Sequence, residues 1–255
     1  AKIGTPPAVR VMAIVQTAAL DAGESAQQQK ASAEAALAAA HRVTLTKLLP
    51  AQQAAIDAAY RAAVSAIADG PAKSVGIANG EAAANAVLAA RLDDGAATPD
   101  GYRPHTSAGV YVPTAVPAVS HWPQRKPWLM TSAAQFRPGP PPALASERWA
   151  RDFNEARAFG GRGSTQRSAE QTDAARFWEY SLPAIYHGVV RSVAEQPGRA
   201  RMRNARLFPA VAHAQAALHR RPLERHLDQA RARQVGRDRE PAHQRQADAG
   251  ADVAL

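Results

Sequence analysis

The residues best suited to hold an anion lie between positions 158 and 178, AFGGRGSTQRSAEQTDAARFW. Glycines, arginines and hydroxyl side chains lead there into a helical pattern, and a helix N-terminus with open N–H groups is where phosphate is commonly held. The stretch has no Gly-Lys-Ser or Gly-Lys-Thr and no six-residue dinucleotide fingerprint after a strand, so it is neither of the two familiar phosphate loops. A second reading needs no ligand. Gly160 and Gly161 end one helix and Ser168 caps the next, with Gln171 three positions on completing a capping box.

Other chemistry-bearing residues do not assemble into a set. Of the eight histidines, His219 and His226 are seven apart and could share a helical face as metal ligands, but they fall in a stretch that reads as unstructured. His41 and His187 sit within apolar helical patterns, where a core or boundary histidine is the ordinary outcome. Asp93 and Asp94 precede Gly95 and read as a turn rather than an acid/base pair. There is no nucleophile elbow of the Gly-x-Ser-x-Gly kind. No cysteine is present, which excludes disulfides, thiolate catalysis and cysteine metal sites and leaves the compartment open. The sequence thus assigns no catalytic, cofactor-binding or metal-binding residue.

The net charge of +9 comes almost entirely from arginine, because lysine occurs only at Lys2, Lys30, Lys47, Lys73 and Lys126. Such a balance suits nucleic acid, an anionic substrate or a membrane surface, but scattered arginines make no patch. The arginine-rich end is diluted by Glu224, Asp228, Asp238 and Glu240 and has no aromatic residue for base stacking, so no nucleic-acid partner is expected. No apolar run approaches a membrane span. The chain starts at Ala1 without an initiator methionine, which reads as something upstream either removed or never included, and removes any evidence of export.

The elements that must position these residues are helices. Apolar residues make up 46% of the chain and alanine dominates them, while aromatics are 5%, which points to an all-α bundle of closely approaching helices. The first helix runs from Thr5 as N-cap, with prolines in its first turn, to Gly23 as its stop. A pair follows across Pro50, Ser32 to Pro50 and then residues 51–71, with Ile56, Tyr60, Val64 and Ile67 on one face of the second. Residues 71–95 form a buried helix with Val75, Ala78, Ala82, Ala86 and Ala89 along a small-residue stripe, where Gly76 and Gly80 let a neighbour come close. From Asp94 to Pro142 the chain is rich in Pro and Gly; its Tyr102, Tyr111, Trp122, Trp128 and Phe136 mark a long ordered loop packed over a core. Helices resume at Ser146 and again after Ser168, the latter burying Phe177 or Trp178. Two more follow, the last with Pro209 inside it, where a kink or break is expected at a cost of about 3 kcal/mol. The helical domain is residues 1–218, and residues 219–255 form a divergent, disordered tail with at most a turn of helix near Leu223 to Ala232.

Taken in order, PPAVRVMAIVQTAALDA, IANGEAAANAVLAARLDDGA, GVYVPT, QFRPGPPPALASERWARDFNEARAFGG, STQRSAEQTDAARFW and ARLFPAVAHAQAAL resemble the N-terminal and middle portions of bacterial vanadium-dependent haloperoxidase-like proteins, relatives of the type 2 phosphatidic acid phosphatases. The resemblance spans about residues 6–218 and is most specific in the prolines before Ser146 and in Ser164 to Thr172. It implies an all-α bundle, vanadate as cofactor, peroxide-dependent halide oxidation, and phosphoester hydrolysis as the sister chemistry. In such proteins vanadate is held by a lysine, an Arg-Pro element, a Pro-Ser-Gly-His-like segment, a second arginine and a last histidine. The resemblance implies that residues 158–178 are a connector into a bundle helix. None of the vanadate set carries over. Arg221-Pro222 stands without the upstream lysine, and the Pro-Ser-Gly-His segment is absent. Two outcomes remain: an inactive truncated or frameshifted form that self-associates through exposed apolar helix faces, or a helical binding and assembly module.

Overall fold

The computed structural model describes residues 3–103, 117–136, 138–179, 182–198 and 201–218, with positions 106, 108, 110, 113 and 115. Within them the chain forms eight α-helices and two short 3-10 turns, with no strand. The all-α expectation is met. His219, Arg221, Pro222, His226, Tyr111 and the tail's acidic residues lie outside the described residues. The chain divides into two compact units. The described residues of one lie within 1–99, 121–135 and 180–218; those of the other lie within 100–120 and 136–179.

The first unit is built on α1 (Thr5–Gln28), α2 (Ala33–Leu48), α3 (Gln53–Ser65) and α4 (Pro71–Ala90). α1 packs on α2 and α4, and α2 packs on both α4 and α3. Ser32 caps α2 by accepting from the Ala35 N–H. The seam is made of alanine: Ala18, Ala22 and Ala26 of α1, Ala36 and Ala40 of α2 and Ala84 of α4 surround Ile14, all fully buried. Such small side chains bury little area each, so cohesion comes from backbones brought close together. Gly80 shows how close: a Cβ there would lie 2.3 Å from the Ala36 carbonyl oxygen, and one at Gly76 would lie 2.4 Å from that of Ser32. These contacts pair the N-terminal halves of α2 and α4 and make the two helices parallel. The buried face of α4 is therefore Gly76, Gly80, Ala84 and Val87. The expected stripe through Val75, Ala78, Ala82, Ala86 and Ala89 is exposed instead, because the glycines approach the neighbour directly rather than flanking it.

α7 (Leu182–Ala194) and α8 (Arg201–Leu218) complete this unit, with α8 along α1. Three expectations are corrected. Thr5 is the first residue of α1 and Gly4 its cap, without a side-chain bond. Gly23 does not stop α1; a Cβ there would lie 2.8 Å from Met202 Sδ, so the glycine admits α8, and Lys30 at φ 53 makes the turn. α8 runs unbroken through Pro209, which is fully buried, so packing offsets the lost backbone bond. Of the aromatic residues in the Pro- and Gly-rich stretch, Trp122 is buried and Trp128 packs against the core, whereas Phe136 is 58% exposed.

The second unit carries α5 (Glu147–Phe159) and α6 (Ala169–Phe177). Ser146 caps α5, whose Trp149 is buried and stacks on Phe153 at 5.1 Å. The capping box at Ser168 and Gln171 forms in both directions. Its helix has no buried residue, however, and Phe177 and Trp178 are each 62% exposed, against the expectation that one is buried.

Candidate functional site

The most deeply placed charged group is Asp94, one residue before Gly95, whose φ of +83° turns the chain after α4. Glycine tolerates that backbone, and the turn sends the Asp94 side chain inward, where it is 1% exposed. Arg10 of α1 donates to it through Nε at 2.9 Å, Arg125 of the following loop donates at 2.6 Å, and the Ala96 N–H donates at 3.1 Å. Burial alone pushes the Asp94 carboxyl up, but the hydrogen bonds and charges of Arg10 and Arg125 together outweigh it and hold the group below its ordinary value. Burial is also the main influence on Arg125, lowering its pKa against the pull of Asp94.

A second chain of contacts adjoins the first. Arg10 donates to the Arg91 carbonyl oxygen, and the Arg91 guanidinium lies 3.6 Å from the centre of the Trp128 ring while donating to the carbonyls of Lys126 and Pro127. On Trp128 the His213 ring of α8 is also stacked, at 4.7 Å. His213 Nε2 is 2.7 Å from Thr17 Oγ1, whose single proton goes to the Ala13 carbonyl, so the imidazole is the donor in that pair. Burial, with a smaller push from Arg91, lowers the His213 pKa. The ladder Arg91, Trp128, His213, Thr17 thus ties the end of α4, the loop, α8 and α1 into one piece. Arg125 repeats the motif on Trp122 at 4.3 Å.

Beside Arg10, the C-terminal ends of α2 and α4 and the first turns of α1 enclose a cleft of about 840 Å³. Its cationic lining is Arg10, Arg42, Lys47 and Arg91; its floor is Ile14, Val43, Leu48 and Leu88. Arg42 bonds Asp57 of α3 at 3.0 Å and lies over the Tyr60 ring.

The residues 158–178 form a connector, as the capping reading expects. Ser164 Oγ donates to the Ala158 carbonyl and accepts from the N–H groups of Gln166 and Arg167. Arg167 donates to the carbonyls of Phe159 and Gly161 and to Thr172 Oγ1. A guanidinium held by neutral acceptors of its own loop staples the turn. His187 is buried, with Nδ1 donating to the Pro183 carbonyl at 3.0 Å, and burial lowers its pKa, as it does that of His41. Both fit the core and boundary reading. Asp93 and Asp94 do form a turn, but sequence reasoning missed Asp94 as the anchor of a buried network. The signal available was the single Arg125 between Trp122 and Trp128 in an otherwise irregular loop.

A vanadate centre needs several cations converging on an oxyanion, with an imidazole at its apex. The described residues do not fit that group. The point on which Arg10 and Arg125 converge is the Asp94 carboxylate, and Arg91 and His213 are both engaged on the Trp128 ring. Among the described residues no cluster of three or more His, Asp or Glu side chains is placed to hold a metal ion, and no helix is long and apolar enough to cross a membrane. Comparison of the chain with protein-family models, with curated proteins and with solved structures finds no match.

Proposed function

We propose that this chain is a helical scaffold of the vanadium-haloperoxidase and acid-phosphatase type that carries out no vanadate chemistry itself and works by holding partner helices. The reading that it is haloperoxidase-like rests on the order of the segments quoted above. The reading that it is a scaffold rests on one observation: the half-buried Arg10 and the buried Arg91 and Arg125 are engaged with Asp94, with backbone carbonyls and with indole rings, which is the chemistry of a structural joint. Exposed Phe177 and Trp178, which meet edge to face at 5.0 Å, offer apolar surface for association, including with a second copy.

The test is enzymatic and physical together. The purified chain is incubated with orthovanadate, peroxide and bromide, and bromination of a phenol dye is followed; phosphoester hydrolysis is followed in parallel without vanadate. Both rates are expected to equal the buffer control. A rate above it that vanadate saturates overturns the scaffold reading. Size-exclusion chromatography with light scattering reads the association, which Phe177→Ser with Trp178→Ser is expected to weaken.

A further inference from the structure

We propose that the hollow between the last turns of α5 and the connector that follows it binds a small polyhydroxylated carboxylate, a sugar acid. The hollow measures about 580 Å³, within the range of small-molecule sites. It exists because the connector folds back. Ser164 Oγ reaches the Ala158 carbonyl and Arg167 reaches those of Phe159 and Gly161, which brings residues 163–166 into one lining with Asn154 and Arg157 of α5. Asn154 and Arg157 are three positions apart and so share one face of the helix.

The lining divides into a group that holds the turn and groups that do not. Ser164 is committed, donating to one carbonyl and accepting from two N–H groups. The side chains of Asn154, Arg157, Thr165 and Gln166 make no hydrogen bond or ion pair among the described residues. Arg157 is the one charged side chain of the lining, which holds no carboxylate. The positions three and four away from it along the chain are Phe153, Asn154, Gly160 and Gly161, so no acid meets it on its own helix. The carbonyl end of α5 has its own cation in Arg167, on the Phe159 carbonyl, which leaves the Arg157 charge in surplus.

These groups select the ligand. A guanidinium is a planar fork of donors that a carboxylate meets with two parallel hydrogen bonds, and one cation matches one carboxylate in charge. The amides of Asn154 and Gln166 and the hydroxyl of Thr165 each donate and accept, which is the pattern that neighbouring hydroxyls of a sugar require. An apolar tail finds little to cover, since only Ala158 and Gly163 in the lining lack a polar side chain. The anion that this glycine- and arginine-rich stretch suggests therefore belongs on its α5 side and not at the start of α6, where Ser168 and Gln171 close the capping box. Neither the Asp94 joint nor any vanadate residue takes part, so this inference stands or falls apart from the scaffold reading.

The experiment is a titration of the isotope-labelled full chain with glucuronate at low ionic strength, followed by the amide and arginine Nε–H resonances, with glucose and propionate as comparisons. Glucuronate is expected to saturate at about millimolar concentration, the strength of one charged pair and a few hydrogen bonds at an open site, and to weaken as salt rises. The shifts are expected to centre on residues 154–158 and 163–166. Glucose, which lacks the charge, and propionate, which lacks the hydroxyls, are each expected to bind at least about fivefold more weakly. Arg157→Gln is expected to weaken glucuronate about five- to tenfold, and Thr165→Val with Gln166→Ala about threefold. The melting temperature is expected to stay unchanged in both variants, because none of these side chains holds the turn. Arg157→Lys, which keeps the charge but not the fork, is expected to retain binding between that of the parent and that of Arg157→Gln. Glucose or propionate binding as tightly as glucuronate, shifts centred outside the hollow, or glucuronate binding untouched by Arg157→Gln overturns the proposal.

Discussion

Replacing Asp94 by asparagine removes the one negative charge on which Arg10 and Arg125 converge, while keeping the shape of the side chain. The cost follows from burial. The Arg125 side chain is 4% exposed and Arg10 17%, so the change takes the Asp94 charge away from a guanidinium held in the interior. Breaking a buried pair from one side costs about 3–5 kcal/mol. For a chain of this size each kcal/mol corresponds to a shift of about 2–4 °C in melting temperature, so Asp94→Asn is expected to melt roughly 6–20 °C below the parent. Differential scanning calorimetry at pH 7 reads it. The pair Asp94→Asn with Arg125→Met is expected to recover part of the loss, since it removes the stranded cation along with its partner. The carboxyl is held below its ordinary value in the folded chain, so the stability it confers is present above the unfolded-state value near 3.8 and is lost as pH falls through the lower folded value. Asp94→Asn should flatten that acid limb. A single variant melting within 2 °C of the parent, or a double variant no more stable than the single, refutes the view of Asp94 as a structural joint.

Other substitutions test the remaining joints. Gly80→Ala sets a methyl 2.3 Å from the Ala36 carbonyl and 2.7 Å from the Ala39 Cβ, so α2 and α4 must separate; a loss of about 1–3 kcal/mol in urea titration is expected. Ser168→Ala removes half of a capping box and should cost about 1 kcal/mol, seen as faster amide exchange at residues 169–172. His41, His187 and His213 all have pKa values lowered chiefly by burial, so the unfolded chain takes up protons more readily near pH 6.5. Stability should therefore be full above that value and fall as pH drops from 7 to 5, before the carboxylates titrate, with His213→Gln reducing the slope of the urea midpoint against pH.

Helix identity was legible in the sequence wherever a local rule decides it. Ser146 and Ser168, where the sequence places helix starts, cap their helices. Which face a helix buries is a different matter in an alanine-rich chain, because periodicity carries little contrast when nearly every position is small. α4 shows this: its buried line is marked by Gly76 and Gly80, and the face chosen from Val75 and its alanines is the wet one. Gly23 and Pro209 mislead for a related reason. Each has a strong local meaning, stop or break, and burial overrides it, Gly23 against Met202 of α8 and Pro209 inside α8 itself. Phe177 and Trp178 fail the other way, being apolar enough for a core that the second unit does not supply around them.

The Asp94 joint and the cleft both follow from the same packing choice. Because glycine and alanine let α2 and α4 lie side by side and parallel, their C-terminal ends arrive together, against the first turns of α1. Two such ends attract cations, and Arg10, Arg42, Lys47 and Arg91 gather there. A carboxylate is then required wherever those cations are shut away from water, which is the place Asp94 takes. A seam of small side chains thus decides where this protein must be neutralised from within.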